Sequence, residues 1–209
     1  MKIGVIAANG KSGKLITEEA VNRGLDVTAI VRKENKSVAP QSIIKDIFDL
    51  TTEDLTSFDV VVDAFGEFRE DKLHLHQDTI QHLSDILAHT NTRLIVVGGA
   101  GSLYVDNQLE TQLYNTADFP EAFKPLATSQ GKALDELRKR DDVRWTFISP
   151  AAEFIADGKR TGDYILAGEQ FTLNSKGESK ISYADYAIAL IDEATEGTHI
   201  QERISVVSK

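Results

Sequence analysis

Hydrophobic residues recur along this chain with two alternating periods. Ile3 to Ala7 is a short apolar run. A glycine-bearing turn follows it, then a helical pattern with Leu15, Ile16, Ala20 and Val21 on one side, closed by Gly24 in the usual capping place. Further apolar runs lie at Val27 to Val31, Ser42 to Ile44, Val60 to Val62, Leu94 to Val97 and Arg144 to Ser149. Between the fourth and fifth runs, Leu73, His76, Ile80, Leu83 and Leu87 fall at spacings of three and four, and the pattern predicts another helix over Phe123 to Arg140. Short runs rich in valine and isoleucine suit strands buried on both faces. Strand and helix alternating at this spacing predict right-handed crossovers and an α/β fold, a doubly wound, mostly parallel sheet.

Beyond residue 150 the pattern changes. Gly158 to Gly168 is polar and glycine-punctuated, as expected of an excursion over the sheet's edge, and Gln170 to Asn174 is expected as a short strand. Ser182-Tyr183-Ala184-Asp185 fits a capping box opening a helix with Tyr183, Tyr186, Ala187, Leu190, Ile191 and Ala194 on one stripe. Both tyrosines are expected in the core. Ile204 to Val207 reads as a last strand. Without repeats or a proline-rich linker, residues 1–209 are expected to form one domain, with 151–209 a lobe on its substrate side. Phe154 and the stretch to Gly168 read equally well as a mobile lid or a surface loop.

Composition narrows the chemistry. The 209 residues hold 33 acidic and 23 basic side chains, a formal net charge of −10, and no cysteine. Thiolate nucleophiles, disulfides, zinc fingers and iron–sulfur sites are thereby excluded. The negative charge argues against nucleic acid or an anionic membrane as partner, though not against a local basic pocket. No apolar run approaches the roughly 18 residues of a membrane span. Met1 runs straight into a strand pattern, so a cytoplasmic protein, monomer or homodimer, is the expectation. His74, His76, His82 and His89 lie in or beside one helix. His74 and His76 face apart, so no metal site is expected and His76 reads as a packed histidine. Arg138, Lys139 and Arg140 read as a solvated helix end.

The most informative stretch runs from Ile3 to Gly13. From Ala7 it reads A-x-x-G-x-x-G between a strand and a helix, the spacing a dinucleotide's pyrophosphate requires. Gly10 and Gly13 suit close backbone approach and close helix packing. Ala7 replaces the first glycine, a small departure if its φ stays negative. Gly10-Lys11-Ser12 also resembles the end of a P-loop, and Val60-Val61-Val62-Asp63 its supporting strand. That motif, however, places a glycine where Val5 stands. At the end of the second strand, Arg32 and Lys33 occupy the place where an NAD-preferring site carries a carboxylate. With Lys11 they favour the 2′-phosphate of NADPH, NADH remaining possible, unless they are a solvated loop pair.

The turn Ala8-Asn9-Gly10-Lys11-Ser12-Gly13 resembles that of the atypical short-chain dehydrogenases with an NAD(P)H-binding domain. Leu94 to Leu103 is similar to the fifth strand and loop of the bacterial NADH-flavin reductase group. Trp145 to Ala151, Arg160-Thr161-Gly162 and Ile181 to Ala187 match in order. More distant relatives include flavin reductases of the biliverdin reductase B type and NmrA-like proteins. The resemblance implies a Rossmann-type fold in which Ala7, Asn9, Gly10, Lys11, Ser12 and Gly13 cradle the cofactor. It also implies that Asp46 and Ile47 flank the adenine, and that Ala64, Phe65 and Gly66 pass its ribose and phosphates. Gly98 and Gly99 would then lie near the nicotinamide ribose, and Ser149 and Pro150 near the nicotinamide. The Tyr-x-x-x-Lys pair of ordinary short-chain dehydrogenases is absent: Leu126 and Gln130 take those positions and Ala100 the serine's. Hydride transfer to a flavin, a quinone or a similar conjugated ring is therefore expected, the flavin as substrate rather than a tightly bound group, with no catalytic residue named. The alternative is an NADP(H)-binding redox sensor without significant turnover.

Overall fold

The computed structural model describes residues 1–209. Its strands are β1 (Lys2–Ile6), β2 (Asp26–Val31), β3 (Gln41–Ile44), β4 (Val60–Asp63), β5 (Arg93–Val97), β6 (Arg144–Ser149), β7 (Glu153–Ile155), β8 (Tyr164–Ala167), β9 (Lys180–Ser182) and β10 (Glu202–Ser208). The helices are α1 (Lys11–Asn22), α2 (Thr52–Leu55), α3 (Leu75–Leu87), α4 (Lys124–Leu137) and α5 (Tyr183–Glu196). Eight strands form one sheet in the order β3-β2-β1-β4-β5-β6-β10-β8, parallel throughout except for β8, which runs antiparallel to β10. This is the doubly wound Rossmann-type arrangement. Strand order reverses between β1 and β4, which opens a crevice at the strands' carboxyl ends.

Period-two alternation divides the core into two layers. Val60 and Val62 of β4 join the cluster beneath α1 and α5, with Ile16, Ala20, Tyr186 and Leu190. Val61, one residue away, joins the cluster beneath α3 and α4, with Ile80, Leu83, Leu134 and Leu137. At the end of α1, Gly24 (φ 72°) donates to Val21 and Leu25 to Ala20. That closure requires a left-handed residue after the helix.

Four expectations are corrected. Gln170 to Asn174 is not a strand: only an isolated bridge joins Gln170 to Tyr104, while the edge strand is Tyr164–Ala167. An edge strand has one neighbour and one wetter flank, so its sequence lacks the apolar density of buried strands. The capping box forms by half. Ser182 Oγ accepts from Asp185 N–H at 2.9 Å, but the Asp185 carboxylate instead accepts from Thr161 N–H (2.8 Å), Gly162 N–H (2.9 Å) and Thr161 Oγ1–H (2.8 Å). Tyr186 is buried and donates to Ile148 O at 2.7 Å, whereas Tyr183 is only partly buried, stacked 3.9 Å from Phe154. Finally, the end of α4 is ion-paired rather than merely solvated: Arg138 to Glu169, Lys139 to Glu136, and Arg140 to Asp85 and Asp142.

The stretch from Phe154 to Gly168 is tied down at several points. β7 pairs with β9, Arg160 meets Glu19, Asp185 holds Thr161 and Gly162, and β8 joins the sheet. No helix is long and apolar enough to cross a membrane.

Candidate cofactor site

The turn leaving β1 is set by Ala7, whose φ is 57°. The condition under which alanine is a small departure, a negative φ, is therefore not met, and the physical reason is connectivity. The Ala7 N–H continues the ladder to Ile30 O (3.0 Å) while its carbonyl turns back to accept from Gly10 N–H (2.8 Å), a reversal that needs a left-handed residue. Gly10 is the N-cap of α1, and a Cβ on Gly13 would collide with the Ala7 carbonyl. The N-terminus of α1 thus lies directly against the end of β1. It has no side-chain cap and no acidic residue in its first turn, whereas α2, α3 and α5 each carry an acid there. Lys11 instead adds a cation at the positive end of the helix dipole, an arrangement that favours an anionic ligand.

The loop after β2 rises beside this turn. Asn9 spans the two, its Nδ2 donating to Glu34 O (2.9 Å) and its Oδ1 accepting from Lys36 N–H (2.7 Å). Arg32 and Lys33 are exposed on this loop. Arg32 is alone among the arginines in making neither an ion pair nor a side-chain hydrogen bond. The others meet carboxylates, or in Arg144 a carbonyl. Ser12 is half-buried in the first turn of α1.

Asp46 accepts from Phe48 N–H (3.1 Å), capping a short 3-10 turn that buries Ile47. After β4, Ala64 is buried, Phe65 N–H donates to Asp63 Oδ1 (3.0 Å), and Gly66 is exposed. Beyond β5, Gly98 and Gly99 form a shelf whose lack of side chains is structural. A Cβ on Gly98 would strike the Phe147 ring, and one on Gly99 the Gln130 amide. Ser149 is fully buried, its hydroxyl 3.5 Å from Arg203 Nη1, and Pro150 beside it is buried. The candidate residues therefore follow the carboxyl ends of β1 to β6. The Ser149 side chain, however, points into the protein.

The partners and burial of two acids, Asp63 and Asp185, were not legible in the sequence. Asp63 closes β4 in full burial, which pushes its carboxyl up to about 6 against the opposing Phe65 N–H bond. It lines a narrow cavity of about 10 Å³ with Phe65, His76, Gly98 and Gln130. His76 is packed as expected, its Nε2 bonded to Glu67 O (2.9 Å), and burial holds its pKa below the usual value. Only the P-loop comparison drew attention to Asp63. The second acid, Asp185, was visible as a capping-box residue, but nothing local signalled its bonds to Thr161 and Gly162.

The sequence profile of the NAD(P)H-binding family matches residues 7–194. The chain belongs to that family. It is similar to YwnB of Bacillus subtilis (strain 168), itself uncharacterized, with 48% identity over 213 aligned positions covering 100% of this chain and 99% of the relative. Among solved structures it resembles SP1627 of Streptococcus pneumoniae TIGR4, a proposed NADH-flavin reductase, at 59% identity and TM-score 0.98 with full coverage of both chains. The anaerobilin reductase ChuY of Escherichia coli O157:H7 shares the fold, with TM-score 0.72 at 17% identity, over 100% of this chain and 97% of that one.

The geometry suits the family's ligand. An uncapped helix N-terminus and a glycine packed against the turn are what a dinucleotide's pyrophosphate needs.

Proposed function

We propose that this protein is an NAD(P)H-dependent reductase that prefers NADPH and passes hydride to a flavin, a quinone or a similar conjugated ring. The carrying observation for the cofactor is Arg32, unpaired at the end of β2 beside the open N-terminus of α1. A guanidinium there meets a 2′-phosphate with two charge-assisted hydrogen bonds and offers little to a bare ribose hydroxyl. The first turn of α1 would hold the pyrophosphate, and the Gly98–Gly99 shelf the nicotinamide ribose. The name given to SP1627 supports a flavin as acceptor.

Leu126 and Gln130 stand where a carbonyl reductase places its tyrosine and lysine, so this reading requires no proton donor of that kind. Bound nicotinamide supplies the hydride. The protein orients the two rings against each other and limits water, and the proton follows from solvent. The same absence favours a second reading, an NADP(H)-binding sensor whose conformation follows the cofactor's redox state.

The deciding experiment follows nicotinamide absorbance with NADPH or NADH and riboflavin, FMN or menadione as acceptor. Oxidation with at least one acceptor, faster with NADPH, is expected. Tight NADPH binding with no oxidation across the set would replace the enzyme by the sensor.

A further inference from the structure

Asn9 was expected among the cofactor's contacts, yet the protein itself engages both ends of its amide. Nδ2 donates to Glu34 O at 2.9 Å and Oδ1 accepts from Lys36 N–H at 2.7 Å, linking residues 25 and 27 positions apart. The loop it grips has its own internal scaffold. Asn35 Oδ1 accepts from Ser37 N–H (2.9 Å) and Ser37 Oγ–H (2.7 Å), and Asn35 Nδ2 donates to Ala39 O (3.1 Å). Asn35 therefore shapes the loop, and Asn9 docks it on the glycine turn. Along it, Arg32, Lys33 and Lys36 make no ion pairs, and Lys11 across the turn makes none either. Four cations thus flank the joined turn and loop, with Glu34 the acid among them, in a chain of net charge −10.

We propose that Asn9 is the positioning residue for 2′-phosphate recognition, fixing the loop of Arg32 to Lys36 against the start of α1, and that Lys36 is a further cation of that site. This rests on the NADPH reading above. A ribose held by the glycine turn presents its 2′-substituent in a fixed direction, so the guanidinium is effective only if its loop is fixed to the same turn. A loop released from Asn9 has to be ordered on binding, and that cost falls on the ligand the loop contacts. Asn9 thus governs discrimination between the cofactors without touching either.

The test measures dissociation constants of NADPH and NADH by calorimetry for wild type, Asn9→Ala, Arg32→Ala and the double variant. Hydrogen exchange over residues 32–39 is followed in parallel. Asn9→Ala should weaken NADPH about tenfold and NADH less than about threefold, the loss expected when one charge-assisted contact is misplaced. Exchange over 32–39 should quicken, and Asn9→Ala should add nothing to Arg32→Ala, as for residues acting through one another. Equal losses for both cofactors, or full additivity with Arg32→Ala, would overturn the role of Asn9. If Asn9→Ala does not fold, Asn9→Ser, still polar but too short to span both partners, is read by the same criteria. Lys36→Ala keeps the N–H that Asn9 accepts, and it should weaken NADPH alone by several-fold; unchanged affinity removes Lys36 from the site. Should Arg32→Ala affect both cofactors equally, the NADPH reading falls and this inference with it. Should Arg32→Ala separate them while Asn9→Ala does not, only the inference falls.

Discussion

Gly13 in α1 lies so close to the carbonyl of Ala7 that a Cβ at position 13 would overlap the backbone. A flexible side chain could move aside, but a carbonyl that also accepts from Gly10 N–H cannot. Gly13→Ala is therefore expected to destabilise the protein by about 1–3 kcal/mol, the usual range for overpacking, by displacing α1 from β1. It should also weaken NADPH binding in whatever fraction stays folded. Urea unfolding with a parallel binding titration checks both. A variant of wild-type stability and affinity would show that the helix does not need this approach.

Ala7 carries the complementary strain. At φ 57° an alanine sits in the left-handed region that glycine occupies freely. Ala7→Gly should raise stability by roughly 0.5–1 kcal/mol, the left-handed penalty less the extra entropy glycine loses on folding. Ala7→Val should lower it, since a β-branched residue tolerates positive φ least. Thermal melts of the two variants should move in opposite directions; movement in the same direction would rule out backbone strain as the cause.

The charge at Arg32 is testable by reversal. Arg32→Asp should weaken NADPH about 10–100-fold while leaving NADH nearly unchanged or slightly improved, since a carboxylate repels a 2′-phosphate and accepts from a 2′-hydroxyl. The NADPH preference should also weaken as salt rises, because Arg32 is exposed. Equal effects on both cofactors would remove Arg32 from the site.

Asp185 holds Thr161 and Gly162 across 24 and 23 residues with three hydrogen bonds of 2.8–2.9 Å. Asp185→Ala removes the buried carboxylate that ties down the exposed Thr161 and Gly162 and is expected to cost about 1.5–3 kcal/mol, the range for hydrogen bonds to a charged group, against about 1 kcal/mol for Thr161→Val, which removes only the hydroxyl. Denaturant unfolding measures both. Comparable small losses would mean that water replaces the carboxylate.

Asp63 predicts a pH dependence. Burial raises its folded pKa from 3.8 to about 6. The native state then binds the proton more tightly than the unfolded chain, so the contribution of this group to stability is fully present below about pH 4 and declines as pH rises to about 6. Asp63→Asn keeps an oxygen for Phe65 N–H and removes the ionisation. The variant should gain on the order of 1–3 kcal/mol over wild type at pH 8 and nothing at pH 4. A difference independent of pH would show that Asp63 does not titrate in this range.

Much of this protein was legible along the chain because the informative patterns are local. Valine- and isoleucine-rich runs alternating with helical spacing determined the parallel sheet, and they placed each of its first six strands within a residue or two. The glycine spacing after β1 and the basic pair after β2 located the candidate site. Tertiary structure decided what depends on distant partners. Tyr164–Ala167 rather than Gln170 to Asn174 became the edge strand because pairing with β10 favoured it, and an edge strand bears no two-faced apolar signature. Ala7 took a positive φ because Ile30 and Gly10 fix its two peptide groups in opposed directions. The carboxylate of Asp185 and the amide of Asn9 each found partners more than twenty residues away. Periodicity reports which face of an element is buried. Which polar atoms meet once those faces close is set by the folded chain, and here those meetings shape the site.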